Sequence, residues 1–106
     1  MTTTHLENIS IATCANVFFD GRCISHTVEL ADGQRKSVGV ILPAILNFDT
    51  VAPEIMECVA GRCRARLRGA SAWQQYGPGE SFAVPANSGF EIEVSGEPYH
   101  YICHFG

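Results

Sequence analysis

From Val17 onward the chain is built of short runs rich in Val, Ile, Phe and Tyr, cut by Gly, Pro, Asn and Asp. Such runs bounded by turn residues read as β-strands. The pattern predicts strands over Ile24–Leu30, Ser37–Leu42, Met56–Val59, Cys63–Leu67, Ser81–Val84, Phe90–Val94 and Tyr99–Phe105. Asp32-Gly33 is a hairpin signal between the first two, and Pro43 stops the second. Ala60-Gly61-Arg62, Gly77-Pro78-Gly79 and Asn87-Ser88-Gly89 separate the later runs, with Gly96 and Pro98 before the last. No window sustains a helical period. Many short strands at regular spacing predict an all-β sandwich or barrel. A barrel's interior is the default place for a small-molecule pocket.

Length and charge narrow this picture. At 106 residues the chain fits one domain with a thin core. Hydrophobic residues make up 46% and charged residues 17%, a globular composition. A net charge of −4 makes a poor partner for nucleic acid or an anionic membrane. Residues 1–15 are Thr-rich and weakly patterned, so a loose N-terminal extension is expected before a barrel domain over 16–106. Met1 to Ser10 lacks the basic start and apolar run of a secretory signal, so the expected location is cytoplasmic.

Five cysteines, Cys14, Cys23, Cys58, Cys63 and Cys103, form no CxxC pair. Reduced thiols are expected. Cys58 and Cys63 facing each other across a hairpin would supply half a zinc site, but the other half is missing; small buried residues is the plainer reading. His100 and His104 share a strand face at about 13 Å separation, too far to hold one metal. His5 and His26 lie elsewhere.

Two spacings resemble the paired motifs of the cupin superfamily. Gly79 and Pro85 match the opening of its second motif, and Glu54 and Gly61 match the close of its first. The resemblance implies a single-domain, jelly-roll type β-barrel. The metal ligands do not follow. Phe48-Asp49-Thr50 occupies the His-x-His position, and the second motif's histidine falls near Phe90. No metal is therefore expected, since Glu54 alone is too weak a site.

A tighter resemblance covers about residues 16–106. Asn16, Phe19 and Gly21, then Arg35-Lys36-Ser37-Val38-Gly39-Val40, resemble the pyrimidine/purine nucleoside phosphorylase family. Phe48, Thr50, Pro53, Glu54, Met56 and Gly61 continue it. Trp73, Tyr76, Gly79, Phe82, Val84 and Pro85, then Phe90, Tyr101 and Cys103, complete it. Arg22 stands where lysine is common, Lys36 where a small residue is usual, and His104 where arginine is expected.

The resemblance implies a broad-specificity enzyme that splits purine and pyrimidine nucleosides with inorganic phosphate, giving free base and ribose 1-phosphate. No cofactor is expected beyond phosphate as co-substrate. The chemistry needs an anion site, polar groups for the sugar, a flat apolar surface for the base and a proton for the leaving base. Arg35, Ser37 and Gly39 share a strand face and are the phosphate-site candidates: a guanidinium fork, a hydroxyl, and room against the backbone. The same strand also reads as a surface Arg-Lys pair beside a packing glycine. Glu54, with Arg35, is the catalytic candidate, or else a strand-end carboxylate in solvent. Phe48, Thr50, Glu54, Phe90 and Tyr101 are the nucleoside-contact candidates, the two phenylalanines reading equally as core. Trp73 and Tyr76 flank a turn and read as packing.

A homodimer is expected for an apolar domain with long β edges. Two other functions fit the same pattern: a non-catalytic small-molecule-binding barrel, and a metal-dependent cupin enzyme. The missing histidines count against the second.

Overall fold

Alternation of inward and outward side chains organises the molecule, whose residues 3–105 are described in a computed structural model. The strands are β1 (Ile9–Ile11), β2 (Asn16–Phe18), β3 (Cys23–Leu30), β4 (Arg35–Ile41), β5 (Ala44–Asp49) and β6 (Glu54–Ala60). They continue as β7 (Cys63–Leu67), β8 (Gln74–Tyr76), β9 (Ser81–Val84), β10 (Gly89–Val94) and β11 (Tyr99–Phe105). A 3-10 turn, Phe19–Gly21, follows β2. A seven-stranded sheet runs β1-β3-β4-β11-β6-β9, with β2 pairing the other half of β3. A four-stranded sheet runs β5-β10-β7-β8. The fold is all-β, as the strand pattern predicted, and cupin-like, as the motif resemblance implied.

The core lies between the two inner faces. Cys23, Ile41 and Tyr99 from the large sheet meet Leu46, Ile92 and Val94 from the small one, each at most 5% exposed. Each of the four aliphatic side chains among them stabilises the fold by about 1.5–3 kcal/mol relative to exposure. Asp32-Gly33 makes the expected β3–β4 hairpin, with Gly33 at φ +89°.

Other expectations changed. β5 restarts one residue after Pro43, alternating Leu46 and Phe48 inward with Ile45 and Asn47 outward. Ala60-Gly61-Arg62 is no hairpin turn, because β6 lies in the large sheet and β7 in the small one. Cys58 and Cys63 are thus buried core thiols on different sheets. The N-terminal extension, expected to be loose, carries β1, with Ile9 opposite Leu30 and Ile11 opposite Val28. Thr3, Leu6 and Ile9 line a crevice over Val28, Val38 and Ile102 on the outer face of the large sheet. This cover explains why outward-facing Val28 and Ile102 are only 1% and 3% exposed.

The outer face of the small sheet is charged. Arg64 pairs with Glu93, Arg66 with Glu91, and Arg68 with Asp49. Trp73 lies over Arg64 and Arg66, with guanidinium carbons 4.8 and 4.6 Å from its ring centre. It packs on the outside of the sandwich.

Candidate functional site

A cavity of about 310 Å³ opens between the two inner faces at one end of the sandwich. Its walls differ in chemistry. On the β2–β3–β4 side, Asn16 Nδ2 donates to Ser25 Oγ at 3.4 Å and Thr27 Oγ1 at 3.2 Å. Ser37 stands directly opposite Thr27 on the next strand. Three hydroxyls and an amide therefore share one wall. The small sheet supplies an apolar wall, with Phe48 and Phe90 in register on β5 and β10. Tyr101 and Cys103 from β11, and Glu54 and Met56 from β6, lie between the two walls.

Glu54 is the acid group of this cavity. Burial pushes its carboxyl above the ordinary range, more than the Cys103 thiol bonded to it at 3.5 Å pulls it down. Burial and the adjacent Glu54 charge push the Cys103 thiol far up, so it stays protonated. Cys103 is the cross-strand partner of Ser37 on its other side. Hydroxyl, thiol and carboxyl thus form a row across β4, β11 and β6. Burial likewise keeps the Tyr101 phenol protonated; its hydroxyl lies 3.5 Å from Cys23 Sγ.

Ser37, Phe48, Glu54, Phe90 and Tyr101, singled out from the sequence, meet in this cavity. Arg35, Gly39 and Thr50 lie outside its lining. Arg35 is exposed at the start of β4, two residues from Ser37 on the same strand face. Gly39 packs beneath Tyr101: an added Cβ would stand 2.7 Å from the phenolic oxygen. Thr50 Oγ1 donates to the Pro85 carbonyl at 2.6 Å and accepts from the Ser88 N–H at 3.0 Å, pinning the loop before β10.

Sequence reasoning missed Ser25, Thr27, Phe18 and Phe105 as lining residues. Ser25 and Thr27 alternate with Ile24, His26 and Val28, so the usual apolar-inside pattern is inverted on that stretch. Phe105 follows Tyr101 and Cys103 at the same period of two, a signal already present in the last strand.

At the positions where cupins carry metal ligands, Phe48 and Phe90 offer no donor atom. Among the described residues no three His, Cys, Asp or Glu side chains gather to hold a metal. The donor set does not fit a divalent metal, and no chemical step is drawn through one.

Comparison with known proteins agrees with this architecture. A protein of unknown function from Acinetobacter sp. ADP1 superposes with a TM-score of 0.95 at 40% identity, covering 98% of this chain and 100% of its own. Oxalate decarboxylase from Bacillus subtilis shares only the fold, at a TM-score of 0.67 and 15% identity over 85% of this chain and 27% of its own. A relative from Aromatoleum aromaticum named pyrimidine/purine nucleoside phosphorylase is 66% identical over 98% of this chain and 97% of its own. One of the same name from Albidiferax ferrireducens is 60% identical over 100% of both. The family model for pyrimidine/purine nucleoside phosphorylase matches residues 13–105. With this match and these identities along nearly its whole length, the chain belongs to the pyrimidine/purine nucleoside phosphorylase family.

Proposed function

We propose that the protein is a broad-specificity nucleoside phosphorylase that transfers a pentosyl group from purine and pyrimidine nucleosides to inorganic phosphate. The observation that carries this reading is the two-sided cavity: a hydroxyl-bearing wall faces an aromatic one, with the protonatable Glu54 between them. The hydroxyl wall suits a sugar, and the aromatic side chains around the cavity suit a base.

Phosphate oxygen attacks the anomeric carbon and the bond to the base nitrogen breaks. Glu54 gives its proton to the departing nitrogen and regains one from the monohydrogen phosphate. The products are base and ribose 1-phosphate. The raised Glu54 pKa supports the acid role, because a carboxyl that keeps its proton nearer neutrality is the better donor.

Ser37 donates to phosphate from within the wall. Arg35 makes no salt bridge among the described residues and lies two residues from Ser37 on the same strand face. Its guanidinium is free to reach in and fork onto phosphate oxygens. Gly39 serves this strand indirectly, by letting Tyr101 lie flat against it. No metal or cofactor enters the reaction as read here. Five free thiols suit a reducing, cytoplasmic setting. Exposed Val38 and Ile55 on the large sheet's outer face suit a homodimer contact.

Incubation with inosine, adenosine, uridine and thymidine, with and without phosphate, tests this. Phosphate-dependent base release that ignores a chelator is expected, and Arg35→Ala is expected to raise the KM for phosphate. Release without phosphate would mean a hydrolase. No release by folded protein would sink the enzyme reading and leave a small-molecule-binding barrel.

A further inference from the structure

The inner aromatic residues of the cavity already occupy one another. Phe48 stacks on Phe90 at 5.3 Å with 18° between planes. Phe19 meets Phe48 edge-on at 5.3 Å, and Phe82 meets Phe90 likewise at 5.4 Å. Phe18 and Phe105 differ. Both line the same cavity, each is 46% exposed, and neither enters an aromatic pair among the described residues. They come from nearly opposite ends of the chain, β2 and β11, and sit on the inward period of their strands beside Asn16 and Cys103.

The backbone after Phe18 is unusual. Phe19 and Asp20 take φ +54° and +56°, and Gly21 takes +91°, so three consecutive residues are left-handed. That region is uncommon for non-glycine residues and strained for a bulky one. The turn ends β2 just where Phe18 faces the cavity and tucks Phe19 against Phe48. Strain held in place beside a cavity points to function.

We infer that Phe18 and Phe105 are the stacking residues for the nucleobase and set specificity by ring area, not by the hydrogen-bonding edge of the base. This rests on the nucleoside reading above. A sugar held on the Asn16–Thr27–Ser37 wall leaves its base toward an apolar mouth. Of the two acidic residues in the lining, Asp49 is paired with Arg68 on the outer face and Glu54 serves the leaving nitrogen in the reading above, which leaves no free charged group for the base edge. Stacking is tolerant because every base offers a π-face. Purines therefore bind more tightly than pyrimidines, and bases of equal size bind alike.

The test uses Phe18→Ala, Phe105→Ala and Phe18→Trp in the full chain. Both alanine variants are expected to raise KM about tenfold for inosine and for uridine, with kcat changed less, and Phe18→Trp to restore it. The new tryptophan's emission, measured against wild type carrying Trp73 alone, is expected to be quenched by free hypoxanthine without phosphate. Unchanged KM in both alanine variants, with phosphorolysis intact, would overturn the inference and leave the proposed function standing. So would strong discrimination between uridine and cytidine, or a changed sedimentation coefficient in the alanine variants, which would mark the rings as a contact with a second copy. Base-dependent quenching in a protein that releases no base would support the inference while the enzyme reading fails.

Discussion

Cys103 Sγ donates to Glu54 Oε1 at 3.5 Å, across the paired strands β11 and β6 inside the cavity. A thiol in this position favours the charged carboxylate, against the burial that disfavours it. Cys103→Ala removes that donor. The Glu54 pKa then rises further, and the basic limb of the pH–rate profile moves to higher pH. Glu54→Gln is expected to lower kcat by about 10²–10⁴-fold and to flatten that limb. A limb that stays in place in Cys103→Ala would show that the pair is not coupled during turnover.

Gly39 is required by space and not by backbone angle. Its Cβ would meet Tyr101 Oη at 2.7 Å, and the Ile24 carbonyl and Ser25 Cβ at 2.8 Å. Gly39→Ala is expected to cost about 1–3 kcal/mol in urea unfolding, as overpacked cores do. Adding Tyr101→Phe removes the nearest of these atoms. The double variant is expected to lose less than the sum of the two single changes. Strict additivity would mean that the backbone carbonyl, and not the phenol, sets the limit.

Thr50 holds the β5–β6 connection to the turn before β10 through one donated and one accepted bond. Thr50→Val keeps the shape and deletes both. The Pro85 carbonyl and Ser88 N–H are left without this partner, at an expected cost of about 1–3 kcal/mol. Thr50→Ser is expected to recover most of the lost melting temperature. Equal melting temperatures for Val and wild type would show that the loop holds without the hydroxyl.

Outside the cavity, Lys36 Nζ lies 2.6 Å from His104 Nδ1, and His104 Nε2 lies 2.8 Å from Glu57 Oε1. Burial pushes the Glu57 carboxyl up, but hydrogen bonds from Thr3 and His104 and the charges of His104 and Lys36 hold it below its ordinary value. A lowered folded-state pKa gives stability that is present above the unfolded pKa and lost as pH falls through the folded one. Glu57→Gln is therefore expected to cost about 0.5–1 kcal/mol at pH 7 and less at pH 3. Equal losses at both pH values in chemical denaturation would rule out the charge as the cause.

The strands with strong β-branched and aromatic runs were legible in the sequence, and the five residues that converge on the cavity were reached through the family resemblance. Alternation groups Tyr101 and Cys103 on one face of β11 and His100 and His104 on the other, and the packing of the second sheet decides that the first face is the inward one. Sheet membership was not legible. Nothing local in Ala60-Gly61-Arg62 tells a hairpin from a crossing between sheets, because that choice depends on which distant strand completes each ladder. Ser25 and Thr27 were passed over because a polar inward face is the reverse of ordinary core patterning. Thr50 has the right position for a ligand contact, but its hydroxyl is consumed by Pro85 and Ser88, which only the loop's path reveals. Phe18 and Phe105 sit near strand ends, where exposure cannot be read from periodicity.

The last strand of the chain, β11, is the middle of the large sheet, held between β4 and β6. Ser37 waits for Cys103, and Glu54 for Phe105, across that gap. Until β11 is inserted, β4 and β6 therefore stand as two open edges. Such unpaired edges invite pairing with other chains. Ladders between distant parts of a sequence also close slowly. The cavity closes only with that insertion, because β11 brings Tyr101, Cys103 and Phe105 to its lining.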